Sequence, residues 1–261
     1  MAPVTDPFAR WYEAHGRHDL PWRQTRDRWA VLVSEVMLQQ TQVARVLAVW
    51  PEFIGRFPEP PVMADAGAGA VITAWGRLGY PRRARRLWES SVVIVDAGWP
   101  EVLTELPGVG RYTAAAIRAQ ADDEDIPAIE VNIRRVVQRV DGMLLSERAA
   151  EIASVRLGRG VRGRDRLLAL MDLGATVCTP RAPACSVCPV RRRCATRGPL
   201  PEEVTARQPA FEGSFRQRRG LVMARLRAEL KVPVTELDAE ALASLVTDGL
   251  ATVDDTDARL P

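Results

Sequence analysis

The chain has 261 residues, 47% of them hydrophobic and 26% charged, with a formal net charge of +3. The apolar fraction is enough for a packed core, and the length suggests two domains or a large and a small one. No run of about 18 apolar residues is present, and the N-terminus "MAPVTDPFARWYEAHG" lacks an apolar signal-peptide core, so a soluble, intracellular protein without a membrane partner is expected.

Apolar residues recur at helical spacing through "RWAVLVSEVMLQQTQVARVLAVW" and "AEIASVRLGRGV", while alternating or β-branched runs are scarce before the C-terminus. The expected fold class is therefore mainly α. "RFPEPP", "AGWP", "LPGVG" and "DIPA" punctuate the helices, and no internal repeat is visible. The link "TRGPLPEEVTARQPAFEG" separates the first ~200 residues from a tail of about fifty, which reads as a helix at about 214–230, a helix at about 236–249 and a small β-hairpin. That order suggests a winged-helix-like module.

Of the 36 Lys and Arg residues only Lys231 is a lysine, and the arginines cluster. Arg82, Arg83, Arg85 and Arg86 stand together, as do Arg134, Arg135 and Arg139, and then Arg191, Arg192 and Arg193. Each cluster alone reads as a solvated helix face. Several together suggest a phosphate-binding surface, because a guanidinium fork matches phosphate bidentately.

"ELPGVGRYTAAAI" places Gly108 and Gly110 in a sharp turn before an Ala-rich helix that starts at Arg111. Glycine admits positive φ and close backbone approach, and the following helix offers unpaired N–H groups to an anion. The stretch reads as a helix-hairpin-helix that grips a DNA phosphate without reading sequence. Farther on, "AIEVNIRRVVQ" carries Glu130 two positions before Asn132, at the start of a helical run. Asp or Asn suits a helix start better than Glu, so the acid needs an explanation. The neighbouring Asp122, Asp123, Glu124 and Asp125 read as a solvated loop. All four cysteines, Cys178, Cys185, Cys188 and Cys194, fall in one C-x6-C-x2-C-x5-C stretch. Such clustering in an intracellular chain points to a metal, and spacing alone leaves zinc and iron–sulfur both open.

"LPWRQTRDRWAVLVSEVMLQQTQV", "LPGVGRYTAAAI", "MDLGATVC" and the cysteine stretch, in this order, resemble the MutY-type adenine DNA glycosylases of the endonuclease III superfamily. The resemblance covers roughly residues 6–196. It implies a two-lobed helical core: a six-helix barrel at about 22–127, and a lobe from residues 1–21 and 128–200 that carries a [4Fe–4S] cluster on the four cysteines. The winged-helix-like module read from the tail pattern, at 208–261, lies outside the resemblance. It also implies double-stranded DNA with a mispaired or oxidised base as partner, the target base being flipped into a pocket. A monomeric, cytoplasmic, nucleoid-associated bacterial repair protein is expected.

Residue by residue, Glu35 matches the family's catalytic acid. A carboxyl among Val33, Val36 and Met37 would be desolvated, its pKa raised, and suited to protonating adenine N7. Gln39 and Gln40 resemble residues that contact bases around the lesion pair, and Tyr80 resembles an aromatic that wedges into the stack. Arg82, Gly108, Gly110 and Arg111 are expected on the DNA. Tyr112 stands where bifunctional relatives carry a Schiff-base lysine, which implies a monofunctional enzyme. Glu130 falls where the family has Asp, in the pattern shared with Asn132, and would stabilise the oxocarbenium-like sugar, Glu35 and Glu130 forming an acid and stabiliser pair.

The extra methylene of Glu130 leaves three readings: a working stand-in for Asp, a site tuned to another base such as thymine or a modified base, or a catalytically weak lesion-binding protein. The tail is too short for the family's usual Nudix-like domain, which recognises 8-oxoguanine. Its helix "SFRQRRGLVMARLRAEL" is expected either on DNA or on the core.

Overall fold

The computed structural model describes residues 6–201, 203 and 210–261. Most of the Pro- and charge-rich link, at 202 and 204–209, lies outside the described residues. The helices are α1 Pro7–His15, α2 Arg28–Leu38, α3 Val43–Leu47, α4 Trp50–Arg56, α5 Pro60–Trp75, α6 Arg82–Ala97, α7 Arg111–Ala121, α8 Val131–Asp141, α9 Glu147–Leu157, α10 Gly163–Asp172, α11 Phe215–Ala228 and α12 Ala239–Thr247. Three short strands, β1 Val232–Pro233, β2 Thr252–Val253 and β3 Asp257–Arg259, form an antiparallel sheet in the order β1-β3-β2.

The chain divides into two compact units, Met1–Leu32 with Gly110–Ala206, and Val33–Val109 with Arg207–Pro261. These bounds follow compactness, whereas the motif-based bounds divide the chain at 22, 127 and 208.

In the first unit, local chemistry sets the helix ends. Asp6 caps α1 by accepting from Phe8 N at 2.8 Å and Ala9 N at 3.1 Å, ahead of Pro7. Gly142 closes α8 at φ 76°, with the amides of Gly142 and Met143 both donating to Gln138 O. Phe8, Tyr12, Ile133, Val136, Val137, Leu167, Leu170 and Leu173 pack in one apolar core. Beside it, the buried carboxylate of Asp172 accepts from Arg17 N at 2.9 Å and Arg17 Nε at 2.6 Å, and takes a two-pronged contact from Arg23 at 2.7 and 2.9 Å. Directly after α10, residues Leu173–Val177 wind as a single π-turn into Cys178. Such turns insert an extra residue and often mark functional positions.

The acidic loop is solvent-exposed at Asp123 and Asp125, as expected, and is also paired within this unit. Asp122 takes a fork from Arg28 at 2.7 and 2.8 Å, Asp123 accepts from Arg164 N at 3.1 Å, and Asp125 accepts from Gly163 N at 2.7 Å and Arg166 at 2.8 Å. The loop is held by arginines that lie far away in sequence, which composition could not reveal.

In the second unit, α5 and α6 pack along each other, and α5 bends at Gly67, whose φ is +78°. Phe53, Phe57 and Trp75 are fully buried and meet edge to face, Phe53 lying 5.1 Å from Phe57 and 5.8 Å from Trp75. The C-terminal elements belong to this unit. Val222, Met223 and Leu226 of α11 are buried, with Leu242 and Leu245 of α12. Three of the five arginines of α11 are paired with carboxylates inside this unit. Arg218 pairs with Asp238 and Glu240, Arg219 with Asp248, and Arg225 with Glu229 and Glu236. Arg227 Nε donates to Ile72 O at 3.2 Å. Of the two places expected for this helix, the structure supports packing on the core.

Candidate active site

Glu35 lies on α2, where the apolar run "AVLV" fixes the buried face. Its side chain is 5% exposed, among Val33, Val36 and Met37, so the desolvation inferred from its neighbours is present. Gln39 and Gln40 follow the end of α2. Gln40 is exposed and adopts φ 53°, an uncommon conformation for a side-chain-bearing residue. Tyr80 is also exposed, at φ 49°, two residues before the start of α6.

One arginine of the expected phosphate surface is a structural pin instead. Arg83 is buried and its Nη1 donates to Val36 O at 2.9 Å, Met37 O at 3.0 Å and Gln39 O. Its Nη2 donates to Thr41 Oγ1 at 3.0 Å and Gly79 O at 3.1 Å. The carbonyls at the C-terminal end of a helix lack intrahelical partners, and this guanidinium supplies them. It also stacks 5.3 Å from the Trp75 and Tyr80 rings. Burial lowers its pKa to about 10, still charged at neutral pH. Arg83 thereby ties the Gln39–Thr41 turn to the Gly79–Tyr80 turn. Arg83→Ala is expected to cost about 3 kcal/mol, because several buried carbonyls lose their donor. A urea melt checks this, and Arg83→Lys should recover little, since an ammonium cannot fork.

At the hairpin, Gly108 has φ +81°, and a Cβ there would lie 3.1 Å from Arg86 Cβ. Gly110 differs from expectation: its φ is −88° and nothing stands within 4 Å of where a Cβ would sit. Its role is that of a side-chain-free N-cap of α7, leaving the first-turn amides without a capping side chain. Arg111 is exposed at that helix start, with a loose 3.7 Å contact to Glu151. Tyr112, next on α7, is half-buried, and its hydroxyl donates to Met171 Sδ at 3.8 Å.

Glu130 is the N-cap of α8 despite the poor intrinsic preference of Glu for that position. Its Oε2 accepts from Asn132 N at 2.8 Å and Asn132 Nδ2 at 2.9 Å, and its Oε1 accepts from Ile133 N at 2.8 Å. The longer side chain folds back, so the carboxylate sits at the helix start, where the helix dipole favours an anion. Three of about four acceptor positions are used, leaving room for roughly one further donor such as water. Burial raises the Glu130 pKa, opposed by these three donors and by Arg135.

A continuous set of hydrogen bonds runs from this carboxylate to the cysteine stretch. Asn132 Oδ1 accepts from Arg135 Nη2 at 2.7 Å; the same Nη2 donates to Gly174 O at 2.7 Å, and Arg135 Nε donates to Cys178 O at 2.8 Å. Gly174, in the π-turn, lies so close that an added Cβ would be 2.7 Å from Asn132 Cβ. One turn along α8, Arg139 donates to Thr179 O and Pro180 O at 2.8 Å each and forks onto Glu203 at 2.7 and 2.6 Å. Arg135 and Arg139, expected on a phosphate surface, are therefore buried braces of the loop. Their spacing of four along α8 was the available signal, since it puts both on one helix face.

Cys178, Cys185, Cys188 and Cys194 line one pocket together with Val136, Arg139, Leu173, Val177 and Val190. All four are free thiols. Arg139 Nη1 lies 3.5 Å from Cys178 Sγ, and Arg197 N lies 3.4 Å from Cys194 Sγ. Burial pushes the Cys188 thiol up to about 11 and raises Cys178 as well, so thiolates here require a cationic group to hold them. Among the described residues no set of three or more His, Cys, Asp or Glu converges as a site for a single metal ion. Four thiols lining one pocket, with N–H donors beside two of the sulfurs, are the donor chemistry of a thiolate-bound metal group.

The family profile HhH-GPD, a superfamily of base excision DNA repair proteins, matches residues 33–156. The adenine DNA glycosylase of Mycobacterium tuberculosis strain H37Rv is 41% identical over 270 residues, covering 93% of this chain and 88% of that protein. The enzyme of the same name from Mycolicibacterium smegmatis is 41% identical over 264 residues, covering 92% and 89%. Among solved structures, a thermostable thymine-DNA glycosylase superposes with a TM-score of 0.66 at 26% identity, covering 74% of this chain and 94% of that one. With helices, hairpin, buried acid and cysteine cavity in place, the chain belongs to the adenine DNA glycosylases of the helix-hairpin-helix base excision repair superfamily.

Proposed function

We propose that the protein is a monofunctional DNA N-glycosylase that releases adenine mispaired with 8-oxoguanine or guanine from double-stranded DNA. The observation that carries the reading is the placement of the Glu130 carboxylate at the start of α8, in a chain 41% identical to adenine DNA glycosylases. Despite its extra methylene, Glu130 puts its charge at the helix start that an Asp N-cap would occupy.

In this mechanism Glu35 gives its proton to N7 of the flipped adenine, and the bond from the base nitrogen to C1′ breaks with its electron pair going to the base. Glu130 stabilises the cationic sugar and orients the water that adds to C1′; the proton this water releases restores the Glu35 acid, and an abasic site remains. Tyr112 has no amine to form a Schiff base, so strand scission does not follow. Gln39, Gln40 and Tyr80 act at the lesion pair, and Arg82, Arg111 and the hairpin glycines hold phosphates. Cys178, Cys185, Cys188 and Cys194 would hold a [4Fe–4S] cluster, which would order the loop that Arg135 and Arg139 brace.

The test is single-turnover cleavage of duplexes carrying A opposite 8-oxoguanine, A opposite G, and T opposite G. Wild type is expected to remove adenine from the first two, and Glu130→Asp to match or exceed it. The rate should fall on acidification at a pH above the ordinary glutamate value of about 4.3, because protonation of the raised carboxyl removes the stabilising charge. Release of thymine alone, or cleavage only by Glu130→Asp, would sink this reading.

A further inference from the structure

The turn that ends α12 breaks a local rule. Asp248 is the C-cap of α12, where an anion works against the helix dipole. Three arginines surround it. Arg219 of α11 meets its Oδ2 at 2.6 Å, Arg82 of α6 stands 3.5 Å from its Oδ1, and Arg85 of α6 donates to its backbone carbonyl at 2.7 Å.

The next residue, Gly249, has φ +64°, and a Cβ there would fall 1.5 Å from Arg85 Nη1. The turn is thus shaped to let the α6 guanidinium in. Arg85 and Arg219 are held by short bonds, but Arg82 is not. Its interaction is long and its side chain is 56% exposed, so it remains available to another anion. A carboxylate and a phosphate present the same oxygens to a guanidinium.

We propose that the Asp248 carboxylate is a built-in competitor for DNA phosphate: it engages Arg82 in the unbound protein and yields it when a duplex backbone arrives. The C-terminal helices then act as a brake on non-specific DNA affinity, which favours release from undamaged duplex. This rests on the reading that Arg82 contacts DNA.

Binding of an undamaged duplex is measured by fluorescence anisotropy across a salt series, for wild type, Asp248→Asn, Arg82→Ala and the double variant. Asn keeps the size of Asp and an acceptor for Arg219 while removing the charge. Asp248→Asn is expected to tighten binding by up to about 5-fold at low salt, the scale of one exposed ion pair. The slope of log Kobs against log salt should steepen by about 0.9, as one more phosphate is neutralised by the freed guanidinium. Adding Arg82→Ala should abolish both the tighter binding and the steeper slope.

Unchanged affinity and slope in Asp248→Asn, or tighter binding that survives Arg82→Ala, overturns the proposal. Asp248→Glu, which keeps the charge, should behave as wild type; binding as tight as that of Asn would mean altered packing and would also overturn it. If Arg82→Ala also leaves binding unchanged in the wild-type background, the DNA-contact reading of Arg82 fails together with the proposal.

Discussion

Replacing Glu35 by Gln is expected to slow adenine release by about 10²- to 10⁴-fold, the range for loss of a positioned general acid, while duplex affinity stays at the wild-type level. The carboxyl is 5% exposed on α2, with Val33 and Met37 fully buried on either side, so an isosteric amide leaves the packing intact and removes only the transferable proton. Single-turnover cleavage and equilibrium binding on the same duplex separate the two effects. A variant that keeps a tenth or more of wild-type turnover would remove Glu35 from the acid role. A variant that loses turnover and binding together would point to a folding defect instead.

The second large effect is on stability. Asp172→Asn is expected to cost about 3–5 kcal/mol, because Arg23, whose side chain is 4% exposed, is left in the interior without a counter-charge. Burial alone would raise the Asp172 pKa, but the hydrogen bonds and charge of Arg23, with those of Arg17, bring it below the ordinary value. A carboxylate with a depressed folded pKa contributes stability above its unfolded pKa of about 3.9, and that contribution is lost as pH falls through the folded value. The gap in melting temperature between wild type and Asp172→Asn should therefore be full at neutral pH and close under strong acid. A constant gap from neutral to strong acid would show that the ion pair is not its source.

Much of this protein is legible in its sequence alone. The helical class follows from apolar spacing. Glu35 could be placed in an apolar setting because its neighbours in sequence are also its neighbours on the helix, and the four cysteines lie within seventeen residues that have to fold back on themselves. Local chemistry of this kind needs no long-range information.

The arginines behave in the opposite way. Arg82 and Arg83 are adjacent in sequence, yet a helix turns them about 100° apart, so one is exposed and the other caps the end of α2. Arg135 and Arg139 look like part of a basic patch until the cysteine stretch, some forty residues away, brings its carbonyls to them. The acidic loop at 122–125 likewise acquires its partners only from Arg28, Arg164 and Arg166. Composition records how many charges a chain carries, and periodicity records which face each occupies. Whether a charge meets phosphate, carboxylate or a helix end depends on contacts between distant segments. The same holds at Glu130: the sequence by itself determined that a carboxylate stands before α8, but only the tertiary structure decided that it folds back as a cap and connects through Asn132 and Arg135 to Cys178.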